Sequence, residues 1–120
     1  MSFVGLWLAV GVLGGLGAVA RFLLYSVISG GGVRIPLGTL AVNLSGTFAL
    51  GVLAGAALRG DGYLLAGTAT LGAYTTFSTW MLESERSREH GRAVLVANVL
   101  ISLLLGLAAV ALGRLLGEAL

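Results

Sequence analysis

Between Gly67 and Thr79 the chain carries Gly67, Thr68, Thr70, Gly72, Thr75, Thr76, Ser78 and Thr79 within an otherwise apolar stretch. Glycines and hydroxyls at that density suit a helix that breaks. A break frees backbone carbonyls that can hold a cation, and helix N-termini that can face an anion. We expect the interruption near Gly72 to Thr76. Asn43 is the strongest single pointer, because its amide offers two N–H donors. It is either interhelical glue, worth ~1 kcal/mol, or one of several donors converging on an anion, with Thr39, Ser102 and Thr79 to join it. Phe77 and Trp80 follow the expected break. Ring edges are electropositive, so a ring turned edge-on contacts a small anion without a full charge. The ordinary alternative is a ring packed in an apolar core.

Two charged residues stand near these groups. Arg21 lies deep in the first apolar segment, where a charge either serves function or snorkels to the interface. We assign it an anchor or vestibule role rather than direct ion coordination. Glu83 opens the run Glu83, Glu85, Arg86, Arg88, Glu89, His90, Arg92. That run reads as a solvated connection, except for Glu83, which is close enough to the third segment to reach a pore mouth. Trp7 suits an interfacial belt. No catalytic set appears: acidic residues are absent from the interiors of the other segments, and no base stands near a Ser or Thr nucleophile. The chain is therefore not expected to be an enzyme. With no Cys and one His, it offers no disulfide framework and no multi-histidine metal site. A formal charge of +2 with no basic run argues against nucleic acid.

These groups must be positioned by helices in a membrane. Of 120 residues, 58% are apolar and 10% charged, against about 25% charged in ordinary soluble domains. A membrane helix needs roughly 20 mostly apolar residues, and four stretches qualify, over residues 3–28, 36–58, 62–82 and 93–116. We read residues 1–120 as a single four-helix transmembrane domain, all-α, with the third helix interrupted. Pro36 sits where a helix's first turn accepts proline. The N-terminus lacks the basic region of a cleavable signal. Arg34, Arg86, Arg88 and Arg92 fall on one side and Arg59 and Arg114 on the other, a weak bias that leaves orientation open. The second segment carries Thr39, Asn43 and Thr47 at a spacing of four, with Gly46 beside them; the fourth carries Asn98, Ser102 and Gly106. Residues four apart share a helix face, so each segment has one polar or small seam. Gly11 with Gly15, and Gly51 with Gly55, are pairs that favour close helix packing.

Three elements together resemble the CrcB/Fluc fluoride channel family. Residues 14–21 (GGLGAVAR) resemble its GGxGAxxR element. Residues 38–48 (GTLAVNLSGTF) resemble its GTxxVNxxGxF element. Residues 75–80 (TTFSTW), with Glu83 after them, resemble its TTFSTF…E element. The resemblance implies a fluoride-selective channel that passively exports fluoride across the bacterial inner membrane and lowers its cytoplasmic concentration. It implies an antiparallel, dual-topology dimer embedded in membrane lipid, of two identical chains or of this chain with a paralogous one. One Na⁺ at the dimer centre would be held by the backbone carbonyls of Gly72 and Thr75. Asn43, Phe77, Trp80, Thr79, Ser102 and Thr39 would line the fluoride path, and Arg21 and Glu83 would stand near the vestibules. The sequence departs from the family pattern at Trp80, usually Phe, where indole is larger and adds an N–H donor. It also departs at Met81, where Ser is frequent, at Ala73, where a second Gly is frequent, and at Asn98. The rival classes are a small multidrug-resistance-like four-helix transporter and a structural membrane subunit. The first would need a carboxylate in the first segment, which has none; the second gives no purpose to a broken, hydroxyl-rich third segment.

Overall fold

Among the described residues three helices are long and apolar enough to cross a membrane: α1 (Phe3–Ile28), α2 (Leu37–Gly55) and α6 (Arg92–Glu118). At 1.5 Å per residue the shortest rises about 29 Å, close to the hydrocarbon thickness of a bilayer. The computed structural model describes residues 2–28 and 37–120. Pro36, Arg34 and the glycine-rich connection between α1 and α2 lie outside the described residues. α1 and α6 present Phe3, Leu8, Phe22, Leu104, Leu107 and Leu115 outward, as lipid-facing surfaces do.

The second span ends at Gly55, three residues short of the expected end. Ala57 has φ +61; its N–H donates to Ala54 O at 3.1 Å and the Leu58 N–H to Leu53 O at 3.1 Å. That is the paired closure of a left-handed helix cap, with alanine where glycine is the usual choice.

The third segment is the interrupted one. It comprises α3 (Gly60–Tyr63), a π-helical stretch (Leu64–Leu71), a single turn α4 (Gly72–Tyr74) and α5 (Ser78–Ser87). Between α4 and α5 the chain leaves the helix: Thr75 is extended, with φ −78 and ψ 162. The break thus falls at residues 75–77, at the C-terminal edge of the expected window. Gly72 stays helical because the Thr75 N–H still reaches Leu71 O at 2.9 Å. The π-helix was not expected. Its signature is a bond to the carbonyl five residues back, which the Thr70 hydroxyl also makes, to Leu65 O at 2.7 Å.

The third span also continues past its expected end at Leu82, and the charged run is not a plain connection. α5 runs to Ser87 and a 3₁₀ turn covers Arg88–His90. Ser84 and Ser87 are buried while Glu85, Arg86 and Arg88 are exposed, so one side of the run packs inward. Gly91, at φ +120, then turns the chain into α6.

α2 and α6 form the tightest pair. A Cβ on Gly51 would lie 2.5 Å from Val110 O, and one on Gly113 would collide with Phe48 O. The Gly51–Gly55 pair therefore meets a matching pair, Gly113 and Gly117, on α6. Gly11 and Gly15 meet no neighbouring helix within this chain: among the described residues nothing lies within 4 Å of a Cβ on either. On α1 the close approach is made instead by Gly17, beneath the Thr70 carbonyl.

Candidate functional site

A break inside a membrane leaves backbone groups that lipid cannot satisfy. Here side chains from two other helices supply the partners. The Asn43 amide binds Thr76 on both sides: Nδ2 donates to Thr76 O at 2.9 Å, and Oδ1 accepts the Thr76 N–H at 2.8 Å. Arg21, from α1, reaches Thr75 O with Nη1 at 3.5 Å, a long contact. The Thr76 hydroxyl accepts the Thr79 N–H at 3.3 Å and so covers one orphan donor at the start of α5. Asn43 is thus a clamp on the break. One N–H of its amide remains beyond that clamp.

The clamp frees carbonyls. In a continuous helix Gly72 O would accept from Thr76 N–H, and Thr75 O from Thr79 N–H. Those two donors turn instead to Asn43 Oδ1 and Thr76 Oγ1. Oxygens released in this way form the donor set that unwound membrane helices offer to Na⁺. Gly72 O fits a cation's requirement for an oxygen ligand, whereas Thr75 O fits it only where Arg21 gives up its long contact, because a guanidinium at that oxygen competes with a second cation.

The break separates two cavities. The larger, about 640 Å³, is an open groove that brings together Asn43, Gly72, Thr75, Phe77, Trp80 and Ser102. The Trp80 indole Nε1 donates to Ser102 Oγ at 3.0 Å. Phe77 and Trp80 lie with ring centroids 5.6 Å apart and planes inclined at 54°. Phe77 is 70% exposed, so its ring is presented outward from the chain rather than buried in a core. The smaller cavity, about 280 Å³, is lined by Arg21, Tyr25, Thr39, Thr76 and Thr79 among others.

The expected path residues thus divide between the two sides. Asn43, Phe77, Trp80 and Ser102 share the groove, while Thr39 and Thr79 line the smaller cavity with Arg21. The Thr39 hydroxyl is engaged: it donates to Glu83 Oε1 at 2.7 Å, and Tyr25 OH donates to the same oxygen at 3.3 Å. Glu83 therefore receives hydroxyls from α1 and α2, and is half-buried rather than solvated. Asn98, from the α6 seam, is buried; its Nδ2 donates to Ser84 Oγ at 2.6 Å, and its Oδ1 has no partner among the described residues. Sequence reasoning missed Tyr25 and Ser84. The signal for Ser84 was available in its spacing of three from Ser87, masked by the charges between them. Tyr25 lies four residues beyond Arg21 on one helix face, a spacing that could have placed it beside Glu83's partners.

The comparisons with known proteins follow the same lines. Residues 8–114 match the family model described as CrcB-like protein, Camphor Resistance (CrcB). A protein of Mycolicibacterium paratuberculosis named fluoride-specific ion channel FluC 2 is 47% identical over 120 residues, covering 98% of each chain. A protein of the same name from Mycobacterium bovis is 50% identical over 113 residues, covering 92% of this chain and 90% of its own. Fluoride-specific ion channel FluC 1 of Symbiobacterium thermophilum is 44% identical over 121 residues, covering 92% and 96%. A family model spanning this much of the chain, and relatives of this identity over nearly full length, establish that the chain belongs to the CrcB family.

Proposed function

We propose that this chain is a fluoride-selective ion channel of the bacterial inner membrane, through which fluoride leaves the cytoplasm down its electrochemical gradient. The observation that carries the reading is the clamped break of the third segment, which places an amide, a hydroxyl and two aromatic rings on one groove. The names of relatives at 44–50% identity support it.

Fluoride is small and strongly hydrated. A path must replace its water with donors, yet release it. The groove is mostly apolar and offers few donors, among them the remaining Asn43 N–H and the Ser102 hydroxyl. Ring edges at Phe77 and Trp80 add attraction without a full positive charge, which would hold the anion too firmly. Arg21 stands on the other side of the break, where it draws anions toward the entrance.

The groove is open in a single chain, so a conducting path needs a further wall. A second copy, or a paralogous chain, inserted in the opposite orientation supplies one, and it presents the outward-facing Phe77 with a neighbour. In that antiparallel dimer, the carbonyls of Gly72 and Thr75 from both chains would hold a shared Na⁺. When bound, the ion would neutralise oxygens freed by the two breaks and favour anions nearby.

The test is efflux from liposomes holding the purified protein, loaded with fluoride or with chloride. Fluoride is expected to leave rapidly and chloride to be retained. Absence of fluoride-selective release overturns the reading.

A further inference from the structure

We infer that Trp80 is a positioning residue that turns Ser102 into a committed hydrogen-bond donor toward the anion in the groove; the inference rests on the channel reading above. A serine hydroxyl has one hydrogen and two lone pairs. On a helix that hydrogen commonly turns back to the carbonyl four residues earlier. Ser26 does this, donating to Phe22 O at 2.8 Å. Ser102 is arranged differently. Its oxygen accepts the indole N–H at 3.0 Å, and its own hydrogen makes no bond among the described residues.

The direction of the Trp80–Ser102 bond is not ambiguous, because an indole nitrogen only donates. One lone pair of Ser102 is therefore fixed on Trp80, and the hydrogen points elsewhere. Ser102 lines the groove with Asn43, Phe77 and Trp80, so the groove is where that hydrogen finds an acceptor. Accepting one hydrogen bond polarises a hydroxyl and strengthens the next bond it donates. A bare anion in a poorly hydrated groove is the acceptor that gains most from this.

Phenylalanine at this position would keep a ring edge on the path but lose the N–H. Ser102 would then be free to rotate back onto the Asn98 carbonyl. The indole also ties the ring to α6, which fixes its tilt against Phe77. Trp80 thus acts through Ser102, and the two should behave as one unit.

The experiment is a cycle of Trp80→Phe, Ser102→Ala and the double variant, each reconstituted and assayed for efflux over a range of fluoride concentrations. Each single variant is expected to raise the half-saturating fluoride concentration by about tenfold, the scale of one charge-assisted bond, with the double variant no worse than Ser102→Ala. A second readout uses indole emission in a Trp7→Phe background, where Trp80 is the remaining tryptophan. Its emission should shift on adding sodium fluoride, not sodium chloride, and should lose that response when Ser102→Ala is added. Independent, multiplicative effects of the two substitutions, or a fluoride response that survives Ser102→Ala, would overturn the inference while leaving the channel reading intact. A wild-type protein that releases no fluoride removes the channel reading, and this inference with it.

Discussion

The α2–α6 contact and the contact around the third segment are built by opposite means. In the first, backbone meets backbone: Gly51 and Gly55 lie against Val110 and Arg114, and Gly113 and Gly117 against Phe48 and Val52. No side-chain hydrogen bond joins the two helices among the described residues. In the second, polar side chains do the joining, through Asn43 to Thr76, Thr39 to Glu83, Trp80 to Ser102 and Asn98 to Ser84. Each of α2 and α6 takes part in both. The first half of α2 (Thr39, Asn43, Gly46) serves the third segment, and its second half locks onto α6. α6 divides likewise, with Asn98 and Ser102 bonded to the third segment and Gly113 and Gly117 against α2. The dry contact can hold two helices at fixed distance by dispersion alone. The polar contact can hold a chain that is not helical, which is what a path for a hydrated ion requires.

Asn43→Ala strikes the polar contact at its centre. It leaves the Thr76 N–H and C=O without partners, at about 1–3 kcal/mol each. Unfolding in detergent, followed by far-UV circular dichroism against denaturant, should show a loss of about 2–6 kcal/mol, the largest of the set. Gly113→Val attacks the dry contact instead. The obstacle is the Phe48 carbonyl, a backbone atom that cannot swing aside, so we expect a loss of about 2–3 kcal/mol. Its surviving folded fraction should still prefer fluoride to chloride, because Gly113 does not line the groove. If Gly113→Val changes selectivity and Asn43→Ala does not, the division of labour is wrong.

A smaller effect is expected from Thr39→Val, which keeps the side-chain shape and removes the donor to Glu83. With Tyr25 still donating, the loss should be about 1–2 kcal/mol in the same unfolding measurement. Ala57→Gly should act in the other direction. Ala57 holds φ +61 at the end of α2, and relieving a left-handed alanine should stabilise the protein by about 1 kcal/mol without altering fluoride release.

Much of this was legible in the sequence, for identifiable reasons. The bounds of α1 and α6 agree with expectation to within two residues, because a run of apolar residues of membrane length is written directly in composition. The break was foreseen from clustered Gly, Thr and Ser, but its exact start was not. Local pattern pointed to Gly72; the helix holds on for one more turn and opens where Asn43 captures the Thr76 N–H. That bond joins residues 33 apart, and no local spacing encodes it. The π-helix was hidden for a related reason: the Thr70 carbonyl sits against Gly17 of α1, a contact that only the assembled fold supplies. The charged residues of the run, Glu83 apart, are exposed as expected; what they concealed is the helix that carries them and the inward-packed Ser84 and Ser87. Of the polar residues singled out in α2 and α6, Thr39, Asn43, Asn98 and Ser102 bond to the third segment and Thr47 lines the groove. The sequence could not show that the break sorts them onto two sides, with Thr39 and Thr79 on one and Asn43 and Ser102 on the other.

Fluoride efflux from liposomes bearing Asn43→Asp, beside the wild type, decides whether the Asn43 amide serves the ion as well as the break. Aspartate keeps an acceptor for the Thr76 N–H but replaces the amide donor and adds negative charge beside the groove. Rapid fluoride release and chloride retention are expected for the wild type, and for Asn43→Asp a fall in fluoride release of at least about tenfold, equivalent to about 1.4 kcal/mol on the barrier, with the same elution volume on gel filtration. Unchanged fluoride release from Asn43→Asp would contradict a role toward the ion and leave Asn43 as a structural clamp alone.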